Sequence, residues 1–109
     1  NVWSVGKGVM ALAIAMLADR GQLDYSAPVA TYWPEFAANG KGAITVDQVM
    51  SHQAGLDGLN VPMADDDIFD WQRVVDALAA MAPLWPPGSR CLSLTSPWAH
   101  LSGPMVFPW

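Results

Sequence analysis

A serine and a lysine stand three positions apart near the start of the chain, within Trp3-Ser4-Val5-Gly6-Lys7-Gly8. On a helix this spacing puts Ser4 and Lys7 on one face, within reach of each other. A serine hydroxyl is a weak nucleophile at neutral pH and needs a base beside it. A lysine serves as that base when burial or nearby positive charge favours the neutral amine. The apolar run that follows, Val9 to Ala18, predicts burial for Lys7. A helix N-terminus at this point disfavours an ammonium and favours an alkoxide at Ser4. The Ser4 N–H is also a candidate oxyanion donor. The pair is therefore a candidate nucleophile and base. In the plainer alternative Ser4 caps the helix and Lys7 is a solvated residue of its second turn, and the spacing alone does not choose between the two.

Other chemistry finds less support. Cys91 is the single cysteine, so neither an internal disulfide nor a cysteine zinc site can be built. His52 and His100 show no metal-ligand spacing, and neither metal nor organic cofactor is called for. A triad built on His52 has no supporting spacing, and a structural role at a helix end is preferred for it. Asp24 and Asp57 have no base to orient and read as turn residues. The net charge of −5, with only five Lys and Arg, excludes a basic face for nucleic acid. The apolar run is shorter than the about 20 residues that span a bilayer, and the helix has almost no basic flank for a membrane surface. A small-molecule substrate is the expected partner, with the oligomeric state open.

The elements that must position the pair follow from pattern. With 109 residues and 52% hydrophobic composition, one small core is expected. Ser4 to Arg20 predicts a helix rich in Ala, Leu and Met, apolar on all sides and so buried all round, with Gly21 as its left-handed stop. Gly6 and Gly8 weaken its first turns and leave room for a close approach. Leu23, Val29, Tyr32, Trp33 and Phe36 are expected to pin the connecting segment to the core, with Pro28 and Pro34 imposing extended or turn geometry. Asn39-Gly40-Lys41-Gly42 signals a turn. Thr45-Val46-Asp47-Gln48 fits a capping box, opening a short helix to His52 with Val46, Val49 and Met50 inward. Positions 53–66 read as loop. A third helix is expected from an Asp67 cap to Met81, with Trp71, Val74, Val75 and Leu78 inward and Asp70 on the wet face. Asp65-Asp66-Asp67 then complements the helix dipole. Pro83 ends this helix, and Pro86-Pro87-Gly88 forms a rigid turn. The pattern dissolves after Gly88, and low order is expected there.

Several ordered blocks carry a resemblance. They are Ser4-Val5-Gly6-Lys7, Gly21-Gln22-Leu23-Asp24 with Pro28-Val29, Trp33-Pro34-Glu35-Phe36, and Ile44-Thr45-Val46. Met50-Ser51-His52-Gln53-Ala54-Gly55-Leu56 and Pro86-Pro87-Gly88 complete the set. Together the chain resembles the serine β-lactamase-related family of class C β-lactamases, D-alanyl-D-alanine carboxypeptidases and β-lactamase-like carboxylesterases. The resemblance covers positions 1–90 as a partial domain, with 91–109 a divergent end. It implies a mainly α piece, the helical lobe, of an α/β fold whose antiparallel sheet is missing from this chain. It also implies that Ser4 is the acylated nucleophile and Lys7 its base, acting on a carboxylic ester, a β-lactam or a D-alanyl peptide.

The sequence departs from that family at its second motif, a tyrosine about five residues after the Pro-Pro-Gly turn. Counting from Gly88, and back from Leu101-Ser102-Gly103, reaches Ser93 both times. A serine hydroxyl is too short and too weakly acidic to replace a phenol, and Tyr25 and Tyr32 lie in the wrong blocks. The third motif, Lys-Thr-Gly or His-x-Gly, is expected beyond position 109. A chain that opens on Asn1 reads as a fragment, with periplasmic, secreted and cytoplasmic locations all open. The rival to a partial serine hydrolase is a catalytically inactive helical fragment or pseudoenzyme.

Overall fold

A computed structural model of the chain describes residues 5–56 and 70–91. Helix α1 spans Val5–Asp19. It ends in the hydrogen-bond pattern that an αL glycine permits: Gly21 has φ 70°, its N–H donates to Ala18 O at 3.0 Å, and the Gln22 N–H donates to Leu17 O at 2.9 Å. These two bonds satisfy carbonyls that the helix end would leave orphaned.

Two 3₁₀ stretches follow, Val29–Thr31 and Pro34–Gly40, the second kinked at Ala38 and Asn39. The segment expected to be extended or turned is therefore largely coiled into 3₁₀ turns, although its anchors are as expected. Leu23, Val29 and Phe36 are buried and Tyr32 and Trp33 are partly so. The Trp33 and Phe36 rings lie 5.3 Å apart. An antiparallel bridge pairs Pro28 with Thr45, through Val29 N–H to Ile44 O at 2.9 Å and Val46 N–H to Ala27 O at 3.1 Å.

Helix α2, Val46–Met50, starts at the Thr45 cap. Gln48 Oε1 reaches back to accept from the Thr45 N–H at 3.1 Å. Val46 and Val49 are buried and Met50 is half-buried, as the sequence pattern requires. Helix α3 is Trp71–Ala80. Its cap is Asp70, whose carboxylate accepts from the Arg73 N–H at 3.2 Å, so the helix opens three residues later than the Asp67 cap predicts. A short acceptor side chain at either position fits the cap rule, and the local geometry selects the later one. Val75 faces the core, Val74 and Leu78 are half-buried, and Trp71 in the first turn is exposed rather than inward. The acidic run and Asp57 lie outside the described residues.

The core joins Ile14 of α1 to Leu23, Val29, Phe36, Ile44, Val46, Val49, Ala54, Leu56 and Met81. Helix α1 contributes only a stripe. Ile14 is buried and Met10, Leu17 and Ala18 are half-buried, while Val9, Leu12 and Met16 are 68%, 63% and 46% exposed. The expectation of a helix buried all round is thus not met among the described residues. Packing on one side covers one stripe of a helix, and an apolar helix needs neighbours on every side to lose all of its surface.

The turn at 39–42 meets the far end of α3. The Met81 N–H takes the carbonyls of Ala77 and Leu78 at 3.1 and 3.3 Å. Asn39 Nδ2 donates to Ala80 O at 2.6 Å. Lys41 Nζ donates to Ala79 O at 2.8 Å and to Met81 O. Every carbonyl of the last turn thereby has a partner.

Candidate active site

Lys7 is the third residue of α1 and is exposed. It lies seven positions before Ile14, on the stripe that turns inward, but past the edge of the described core. The burial predicted for it from the apolar run is therefore not supplied by the described residues. Ser4 directly precedes Val5, the first helical residue, and lies outside the described residues, as does Ser93. A Cβ built on Gly6 or Gly8 meets nothing within 4 Å, so the close approach foreseen there does not occur among the described residues.

The Met50–Leu56 block is better defined. Helix α2 closes with the same two-bond pattern as α1: the His52 N–H donates to Val49 O at 3.1 Å, and the Gln53 N–H donates to Gln48 O at 2.6 Å. His52 occupies the αL position at φ 60°, where Gly21 sits after α1. This matches a helix-end role for the histidine. Among the described residues its buried Nδ1 has no hydrogen-bond partner, and neither does Trp85 Nε1.

The Pro-Pro-Gly turn packs against this block. The Leu84 N–H donates to Gly55 O at 2.8 Å and the Gly88 N–H to Gln53 O at 2.8 Å. The turn itself is closed by the Ser89 N–H and Oγ donating to Pro86 O at 3.1 and 2.6 Å. Gly55 has φ 77°, and a Cβ there would stand 2.6 Å from Trp85 O. Only glycine fits so close a backbone approach. Cys91, exposed, directs its thiol to Ser51 O at 3.4 Å.

Asp24 is a turn residue, as read from the sequence. Its carboxylate accepts from Ser26 Oγ at 2.7 Å and Ser26 N–H at 2.8 Å. These bonds hold its carboxyl below the ordinary value of 3.8. The Tyr32 hydroxyl accepts from the Asp24 N–H at 2.8 Å, which occupies that phenol in the connecting segment. Among the described residues no group of three His, Cys, Asp or Glu could hold a metal ion, and no helix is long and apolar enough to cross a membrane.

Sequence reasoning missed the role of Lys41, read only as part of a turn. It is fully buried, and burial pushes its ammonium below the ordinary value of 10.5. The only local signal is a lysine beside Asn-Gly in a chain with few cations.

Two helices closed by αL residues, with the loop after α2 packed on a Pro-Pro-Gly turn, make a mainly helical unit of the described residues. The β-lactamase family model matches residues 1–96, and the chain belongs to that family. It is 51% identical over 82 residues to the esterase/beta-lactamase LipL of Mycobacterium tuberculosis, a match covering 75% of this chain and 19% of LipL. Among solved structures it is similar to a penicillin-binding protein homolog from Caulobacter crescentus, at 50% identity and a TM-score of 0.78. It is also similar to a family VIII carboxylesterase, at 45% identity and the same TM-score. Both matches cover 82% of this chain and 24% of the solved chain. The fold is accordingly of the β-lactamase and penicillin-binding-protein type. The chain spans about a quarter or less of the length of these relatives.

Proposed function

We propose that the chain is the helical-lobe part of a serine hydrolase that transfers acyl groups through Ser4. Ser4 Oγ attacks a carbonyl carbon, and its proton passes to the Lys7 amine. The leaving group departs with a proton, and water then releases the acid from the acyl-enzyme. Family membership supports this reading together with the position of the pair, Ser4 directly before α1 and Lys7 in its first turns. The relatives named as an esterase/beta-lactamase and a carboxylesterase favour an ester as substrate, ahead of a β-lactam or a D-alanyl peptide.

On this reading the antiparallel sheet of the family is completed by parts of the domain beyond the described residues. Its packing would cover the exposed Val9, Leu12 and Met16 face of α1. Lys7 lies on the opposite, Ile14 side of the helix, where other parts of the domain would have to supply the desolvation that a lysine base requires. An oxyanion hole that lacks one donor loses roughly 10²–10³ in rate, so turnover by the chain alone is slow.

One observation favours the rival, a chain that binds without turnover: Ser93 stands where the tyrosine is expected. Hydrolysis of a p-nitrophenyl ester separates the two. The enzyme reading predicts measurable release that disappears in Ser4→Ala. Release that is equal in Ser4→Ala, or absent from the folded chain, favours the rival.

A further inference from the structure

Lys41 is the one fully buried charged side chain among the described residues. Burying an ammonium is expensive unless each of its three donors finds an acceptor. Here each does. Nζ donates to Ala38 O at 2.7 Å, to Ala79 O at 2.8 Å and to Met81 O. Nζ also lies 5.4 Å from the centroid of the Phe36 ring, which adds the attraction of a ring face for a cation. Two of the three oxygens belong to the end of α3, where the helix dipole is negative.

The acceptors come from two segments, the 3₁₀ turn and α3, and all three are backbone carbonyls. Such a set recognises a small cation by its charge and its N–H donors, with no carboxylate involved. Asn39 Nδ2 on Ala80 O holds the intervening carbonyl aside, so that the three oxygens converge on one point.

We propose that the carbonyls of Ala38, Ala79 and Met81 form a primary-ammonium site, which the chain fills with its own Lys41 side chain and which takes a free alkylammonium ion when that side chain is removed. The site is independent of Ser4 and Lys7. In the native chain it is a splice: an internal cation joins the end of α3 to the turn at 39–42 and so sets where the 81–88 segment begins.

The test uses Lys41→Ala, which removes the atoms of n-propylammonium while leaving the oxygens. Thermal unfolding of the whole chain is followed by circular dichroism in n-propylammonium, tetramethylammonium or 1-propanol at matched ionic strength. Near saturation n-propylammonium should raise the midpoint of Lys41→Ala by about 5 °C over tetramethylammonium. Wild type and Lys41→Met, whose side chain fills the path without donating, should show no such difference. An equal rise with 1-propanol, an equal rise in wild type, or no amine-specific rise overturns the proposal. If Lys41→Ala is unfolded without amine, recovery of the helical signal on adding n-propylammonium supports the site. A chain that stays unfolded at the highest soluble amine concentration overturns it.

Discussion

The Gly88 N–H donates to the Gln53 carbonyl at 2.8 Å, so the Pro-Pro-Gly turn rests directly on the loop that follows α2. Two blocks far apart in sequence form one surface. The contact is tight because Gly55 lets the Trp85 carbonyl approach.

Gly55→Ala should therefore be among the most damaging small changes. The new Cβ would meet backbone at 2.6 Å, at φ 77°. A loss of about 3 kcal/mol is expected, measured by urea unfolding. Gly40→Ala is the control: its φ is 83° but a Cβ meets nothing within 4 Å. It should lose only about 1 kcal/mol, the cost of a left-handed alanine. Equal losses at the two sites would mean that the Trp85 approach is unimportant.

His52 holds an αL position that glycine occupies after α1. His52→Gly relieves the left-handed strain and should be neutral or stabilising by up to about 1 kcal/mol. His52→Val places a β-branched residue there and should destabilise by more than the histidine does. A clear loss in His52→Gly would show that the imidazole contributes contacts beyond the backbone turn.

The Asp24 turn gives a pH dependence of definite sign. Its folded-state pKa is lowered from 3.8, first by the Ser26 hydroxyl and then by the Ser26 N–H. Its contribution to stability is thus fully present above 3.8 and is lost as pH falls through the folded value. The gap in thermal midpoint between wild type and Asp24→Ala should be constant near neutrality and should close on acidification below 3.8. A gap that widens in acid would contradict the assignment.

The parts legible in the sequence are those decided by near neighbours. Gly21 after an apolar run and Gln48 three residues after Thr45 need only their own turn to act, and both do so. Asp24 likewise closes on Ser26. What was not legible depends on distant partners. Lys41 meets Ala79 and Met81 from the far end of another helix, and no local pattern distinguishes it from a solvated turn lysine. Trp71 fits an inward helical period, yet it falls in a first turn that the core does not reach. The all-round apolarity of α1 describes a helix with neighbours on every side, whereas the described residues cover only the Ile14 stripe. The candidate site is legible in the same partial way, as a motif whose two residues flank and open α1.

The central claim is that Ser4 is a nucleophile activated by Lys7. Intact-mass and peptide mapping after treatment with a fluorophosphonate measures this most directly. The account predicts one adduct per chain, on Ser4, absent in Ser4→Ala and formed at least about 100-fold more slowly in Lys7→Arg, because a guanidinium keeps its proton. An adduct on another residue, no adduct on a folded chain, or an undiminished rate in Lys7→Arg would contradict it.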